Sequence, residues 1–247
     1  MSFAHGSSTV VLANERVVSS EISGWTMAHQ RAMSEVTTVG QVAGSAGSFF
    51  VPGLMSGSLG LRGPQQLDST TGLQVELQAS IGVDNNLLVT CLPEGVAIGK
   101  PAFFAVVDPT DYAIDASVAD AVAVSFTAMP DESVEMGYTV HALAAETVDG
   151  NGTAVDRGAS PLTPTTRGLV AAIHVTAYSG LTSAAIKIQH STDNSVWADL
   201  VSFTLVTALT SERVKVATGT TVNRYLRVVT DVTGSGSVTF LVAAAPR

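Results

Sequence analysis

The chain has 247 residues, 46% of them hydrophobic and only 13% charged, with a formal net charge of −9. That length suffices for one large or two ordinary β domains, and so little charge is unusual for a free monomer's surface. No stretch approaches the roughly 18 consecutive apolar residues of a membrane span, and the opening residues from Met1 to Ser8 carry neither the basic nor the apolar region of a signal peptide.

The charge is uneven: up to Ala128 there are eleven acids against four bases. This argues against a sequence-reading nucleic-acid binder, which shows a basic face. It suits a surface that nucleic acid passes without sticking.

In chain order, Thr9–Leu12, Asn14 and Arg16–Val18 predict a first hairpin or a bent strand. Residues 24–63 then form two alternating runs around a Gly/Ser/Ala linker, Gly40–Ser48. Met27, His29, Arg31, Met33 and Glu35 fall on one side of the first run, and Thr26, Ala28, Gln30 and Ser34 on the other. Neither side is cleanly apolar, so the sequence predicts an assembly hairpin whose strands need partners beside them. In the second run Leu59 and Leu61 face one way and Ser58, Gly60 and Arg62 the other.

A helix is expected over about 68–80, with Asp68 as N-cap, an apolar stripe of Leu73, Leu77 and Ile81, and Gly82 as its C′ stop. Leu87–Leu92 reads as a short buried strand containing the single cysteine, Cys91, which is expected to be structural. Pro101–Val107 and Tyr112–Met129 are expected to pair around a turn at Asp108–Asp111. Within the second of these, Ala121, Ala123, Ser125 and Thr127 make a small face and Val122, Val124 and Phe126 a bulky one. Tyr138–Val148 is a further strand, Asp149–Gly152 a turn, and Pro161–Thr166 an extended linker.

From Gly168 the expected strands are Leu169–Ala177, Ala184–His190, Trp197–Phe203, Arg213–Ala217, Arg224–Thr230 and Val238–Ala244. This spacing predicts a β-sandwich with Trp197 entering its core. The domain division is therefore 1–160, a linker at 161–167, and 168–247.

No catalytic, cofactor-binding or metal-binding residue is assigned. The segment from Gly95 to Pro101 is not a phosphate loop, because its glycines are too close and Pro101 replaces the required Ser or Thr. Asp108, Asp111 and Asp115 read as a solvated turn rather than a calcium site. His174 and His190 are placed on adjacent strands, where a meeting would be chance. Enzyme activity is not expected.

The opening from Met1 to Leu12, the long hairpin, the run from Val51 to Leu59, and the segments around His141, Lys187–Leu200 and Asn223–Val228 together resemble major tail proteins of long, non-contractile-tailed phages, of the actinobacteriophage type. The resemblance implies a mainly β tail-tube fold, part sandwich and part barrel, with one packed helix and a C-terminal β-sandwich. It implies homo-oligomeric, hexameric rings that stack into the tube through which double-stranded DNA passes without specific binding. It also implies tail-tip, tail-terminator and tape-measure proteins as partners, a place in the virion after assembly in the host cytoplasm, and no cofactor. Candidate lumen-facing residues are Arg31, Glu35, Ser58 and Arg62. Candidates for the loop that orders on the next ring are Gly40, Gln41, Gly44, Gly47 and Phe49. The alternatives, in order, are a head-decoration or head–tail connector protein and a carbohydrate-binding β-sandwich module.

Overall fold

The apolar alternation of the first segments produces strands at once. Val10–Ala13 (β1) and Arg16–Val17 (β2) pair around Asn14, whose positive φ of 48° completes the tight turn. The computed structural model describes residues 6–35, 50–65, 73–84, 87–116, 121–158 and 163–247. The remaining elements in order are β3 (Gly24–Glu35), β4 (Phe50–Pro64), α1 (Leu73–Ser80), β5 (Leu87–Leu92), β6 (Pro101–Asp115), β7 (Ala123–Pro130), β8 (Glu135–Glu146), β9 (Gly150–Asn151), β10 (Val155–Asp156), β11 (Leu169–Ser191), β12 (Ala198–Ser202), β13 (Thr210–Val216) and β14 (Tyr225–Pro246).

The protein is mainly β, as its sequence predicts, and its strands join one 14-stranded open sheet. The main path runs β12-β11-β14-β8-β6-β5-β1-β2, and β7, β4 and β3 branch outward from β6. The connection between β8, before the expected linker, and β14, beyond it, is a backbone ladder from Tyr138↔Ala244 to Glu146↔Val238.

Six strands were expected after Gly168, and four form. β11 and β14 each run through a glycine-containing segment that reads locally as a turn. They remain paired across it, Ser179 with Ser237 and Leu181 with Gly234, with register shifts on either side. Gly180 and Gly234 take positive φ there (73° and 103°), so the pair bends by bulging instead of reversing. The bend brings Ile173 and Val175 from one half of β11 into the same apolar cluster as Ile186 and Ile188 from the other. The C-terminal core is thus enclosed by a folded-over ribbon of a continuous sheet.

The expected turn at Asp108–Asp111 is also a bulge. β6 continues through Pro109 to Asp115, with its register against β7 shifting between Pro109 and Asp111. Proline lacks the N–H that a regular ladder position needs, and an irregular position removes that conflict. The Thr110 hydroxyl donates to the Thr127 carbonyl across the irregularity. At Asp149–Gly152, expected as a turn, Gly150 and Asn151 pair with Thr230 and Val229 of β14.

Within α1, Leu73 and Leu77 are buried, but Ile81 lies beyond the helix and is half exposed. The chain leaves the helix through Gly82 at φ 78°, the left-handed stop the sequence predicts. The expected helix start, Asp68 included, lies outside the described residues. So does the Gly40–Ser48 linker.

Candidate assembly surface

β3, β4, β7 and β6 lie side by side in that order, with ladders Met27↔Leu59, Leu61↔Phe126 and Tyr112↔Phe126. Period-two alternation gives this sheet two unlike faces. On the inner face Leu59, Leu61, Phe126 and Ala128 are fully buried, and Trp25, Met27 and Tyr112 pack against the same cluster. Leu73 and Leu77 of α1 join that cluster. Glu21 fixes the described end of the helix, its carboxylate accepting a hydrogen bond from the Leu73 N–H.

The outer face carries Thr26, Ala28 and Gln30 from β3, Ser58, Gly60 and Arg62 from β4, Ala123, Ser125 and Thr127 from β7, and Asp111, Ala113 and Asp115 from β6. Most of these are exposed, and nearly all are small or polar. The small-residue face expected of β7 is therefore part of a four-strand surface. Among the described residues, β3 pairs only with β4, and the Thr110–Asp115 end of β6 pairs only with β7. Among the described residues, the sheet therefore ends in two strands whose outer backbone edges have no strand partner.

Ser58 and Arg62 both lie on the outer face, four residues apart on β4. Arg31, opposite Met55, shares the register side of Trp25 and Met27; it is exposed, and its Nε donates to the Gly53 carbonyl at 3.4 Å. Glu35 stands opposite Phe50, beyond a register shift between Arg31 and Met33. Gly40, Gln41, Gly44, Gly47 and Phe49 lie outside the described residues.

Three of the described histidines, His141, His174 and His190, occupy structural positions. His174 and His190 do not lie on adjacent strands; both are on β11, because that strand is continuous. His174 is completely buried. Its Nδ1 is 2.6 Å from the Asn14 carbonyl and its Nε2 2.7 Å from the Thr90 hydroxyl. A carbonyl only accepts, so Nδ1 carries the proton and Nε2 accepts from Thr90. Burial pushes the pKa of His174 down to about 4. His141 stacks on Phe240 at 4.1 Å, and the His190 ring accepts from the Asn223 N–H. Cys91 is buried, and desolvation pushes its thiol pKa up. No group of three His, Cys, Asp or Glu among the described residues is placed to hold a metal ion, and none of their helices is long and apolar enough to cross a membrane.

Trp197 does not enter the core. It is half-buried immediately before β12, with the Arg227 guanidinium 4.2 Å from its ring centroid. Arg227 donates to Gln189, Gln189 donates to Asp199, and Lys187 also donates to Asp199, giving a polar ladder across β14, β11 and β12. These hydrogen bonds, that from Lys187 first, hold the Asp199 carboxyl below its usual range. Local pattern places the indole at a strand entrance, where core and surface are equally available. The register of β12 decides between them.

No protein-family model matches the chain, and no curated protein matches it. Among solved structures it is similar to a chain of the virion of a native gene transfer agent particle, with 7% identity and a TM-score of 0.43 over 53% of this chain and 97% of that one. It is also similar to the SPP1 Dit (gp 19.1) protein, described as a paradigm of the hub adsorption apparatus in phages infecting Gram-positive hosts (12% identity, TM-score 0.38, covering 96% and 98%). A third similarity is to a chain of the phage p2 baseplate in its activated conformation with Sr (10% identity, TM-score 0.34, covering 97% and 98%).

Proposed function

We propose that this chain is a structural subunit of a phage tail that polymerises through the β3-β4-β7-β6 sheet into rings, which stack into a tube. The observation that carries this reading is the combination of a polar, small-residue outer face with an open backbone edge on each side. An open edge is a liability in a monomer and a joint in an assembly. Pairing β3 of one subunit with the Thr110–Asp115 edge of the next would satisfy both, and repetition around an axis would close a barrel without edges. Six subunits per ring follow from the family resemblance alone.

In this reading the outer face becomes the lumen wall, with Ser58 and Arg62 on it beside Asp111 and Asp115. Small side chains with an acidic bias let DNA pass without a phosphate-binding surface. Arg31 and Glu35 then belong to the distal part of the hairpin, and Gly40–Ser48 to contacts with the next ring. The units at 1–160 and 168–247 serve as tube wall and attached β unit. The partners are further copies of the chain and the tail-tip, tail-terminator and tape-measure proteins, in the virion.

The test is negative-stain electron microscopy of the purified chain across a concentration series. Stacked rings or tubes are expected, and deletion of Gly40–Ser48 should leave folded subunits that do not elongate. Normal tubes from the deletion variant would remove the loop from the joint. Compact monomers at every concentration, even with a tail-tip initiator present, would overturn the tube. In that event the half-exposed Trp197, with Arg227 over its ring, favours the glycan-binding alternative.

A further inference from the structure

In a chain of net charge −9, three arginines from distant parts of the sequence line one cleft of about 180 Å³. Arg157 follows β10, Arg167 precedes β11 and Arg247 follows β14; Met136, Tyr138, Thr163 and Pro246 complete the wall. The three cations differ in how they are held. The Arg247 guanidinium is engaged by the buried carboxylate of Glu135, which also binds Arg213. Arg157 is half-buried, and its Nη1 donates to the Val222 and Asn223 carbonyls at 3.4 and 3.0 Å. Those acceptors are neutral, and among the described residues neither Arg157 nor Arg167 has a carboxylate partner.

A half-buried guanidinium satisfied only by carbonyls keeps an uncompensated charge and N–H donors to spare. Its desolvation is visible in a pKa lowered from the ordinary arginine value, chiefly by burial, although the group remains cationic. Arg167 is exposed at the same cleft and supplies a second uncompensated fork. Guanidinium groups match the paired oxygens of a phosphate in geometry and charge.

We infer that the Arg157–Arg167–Arg247 cleft binds a compact oxyanion of the phosphate class. Arg157 and Arg167 supply the charge, and Arg247, oriented by Glu135, forms the third wall. The site lies away from the β3-β4-β7-β6 sheet and does not depend on the assembly reading.

Isothermal titration calorimetry of the full chain with inorganic phosphate, against chloride at matched ionic strength, tests this. Saturable binding is expected, weakened at least about tenfold in Arg167→Gln, since that variant loses a charged hydrogen-bonding partner of the anion. Arg167 is exposed, so this variant should fold normally. Arg157→Gln should show the same loss if circular dichroism confirms its fold. A parallel titration with glycerol phosphate distinguishes the sources. Binding of both ligands means that the cleft accepts a phosphate carried on a larger molecule; binding of inorganic phosphate alone means a closed site for the free ion. Absence of saturable phosphate binding, or binding unchanged in Arg167→Gln, would overturn the inference.

Discussion

The Thr90 hydroxyl lies 2.7 Å from Nε2 of His174 and ties β5 to β11 across 84 residues of sequence. The contact is completely buried. It sits where Leu12, Leu88 and Phe104 from the first half of the chain share an apolar cluster with Val170, Leu241 and Ala243 from the second. Asn14 completes the arrangement: its carbonyl accepts from the His174 Nδ1–H, and its side chain accepts from the Leu88 N–H. One neutral imidazole thus helps hold the two halves in register.

That neutrality makes stability pH-dependent. The His174 pKa is about 4 in the folded protein, against 6.5 as its ordinary value. Between these values the unfolded chain binds a proton that the folded chain does not. The contribution is therefore complete above pH 6.5 and is lost as the pH falls toward 4, by about 3 kcal/mol in all. His190, also lowered by burial, acts in the same direction. Urea unfolding between about pH 7.5 and pH 5 should show a much shallower slope of stability against pH in His174→Asn than in the native chain. Parallel slopes would rule out His174 as the source.

Gly137 sits hard against the backbone of β14. A Cβ at this position would lie 2.1 Å from the Ala244 carbonyl oxygen and 2.6 Å from the Ala245 Cα, and both obstacles are backbone. Gly137→Ala should therefore destabilise the fold by about 1–3 kcal/mol, because the strands must separate. Gly6→Ala, with nothing within 4 Å of the added carbon, serves as the control. Thermal melts should separate the two variants clearly, and equal melting temperatures would show that the ladder yields easily.

Glu21 secures α1 from another segment of the chain. Removing its carboxylate in Glu21→Ala leaves the Leu73 N–H without that acceptor and should cost about 1 kcal/mol. Glu21→Gln, which keeps an acceptor oxygen, should recover part of it. Denaturant midpoints for the two variants measure the difference.

Cys91 should be inert in the folded protein. Burial removes access and raises its thiol pKa, so little thiolate forms near neutral pH. A thiol-reactive disulfide reagent should modify the chain only after urea is added. Rapid modification of the native protein would mean that β5 opens locally.

Much of the candidate surface was legible in the sequence because alternation is local. Phe126 and Ala128 are buried and Ser125 and Thr127 exposed, as their spacing requires. The hairpin pairs from Gly24↔Arg62 outward, with Leu59 and Leu61 on the core side. Gly82 ends the helix because a residue without a Cβ adopts the left-handed conformation readily. Each of these features is fixed by a residue and its near neighbours.

Proline and glycine were less decisive at Pro109, Gly180 and Gly234. Their backbone preferences fit a chain reversal and a bulge equally well, and the partner strand selects between them. At Pro109 and Gly234 a partner residue is present, and Gly180 lies between two paired neighbours, so the strand continues at each. His174 and Trp197 have the same explanation in side-chain form. Whether an amphipathic residue is buried or exposed depends on what packs over it, and here that is Asn14 and Thr90 for His174 and Arg227 for Trp197. The sequence by itself determined the mainly β class, the two-faced strands and the helix stop, because these follow from short-range pattern. The continuity of the sheet, the convergence of three arginines and the burial of His174 were decided only by tertiary structure, because each depends on residues that pairing brings together from far along the chain.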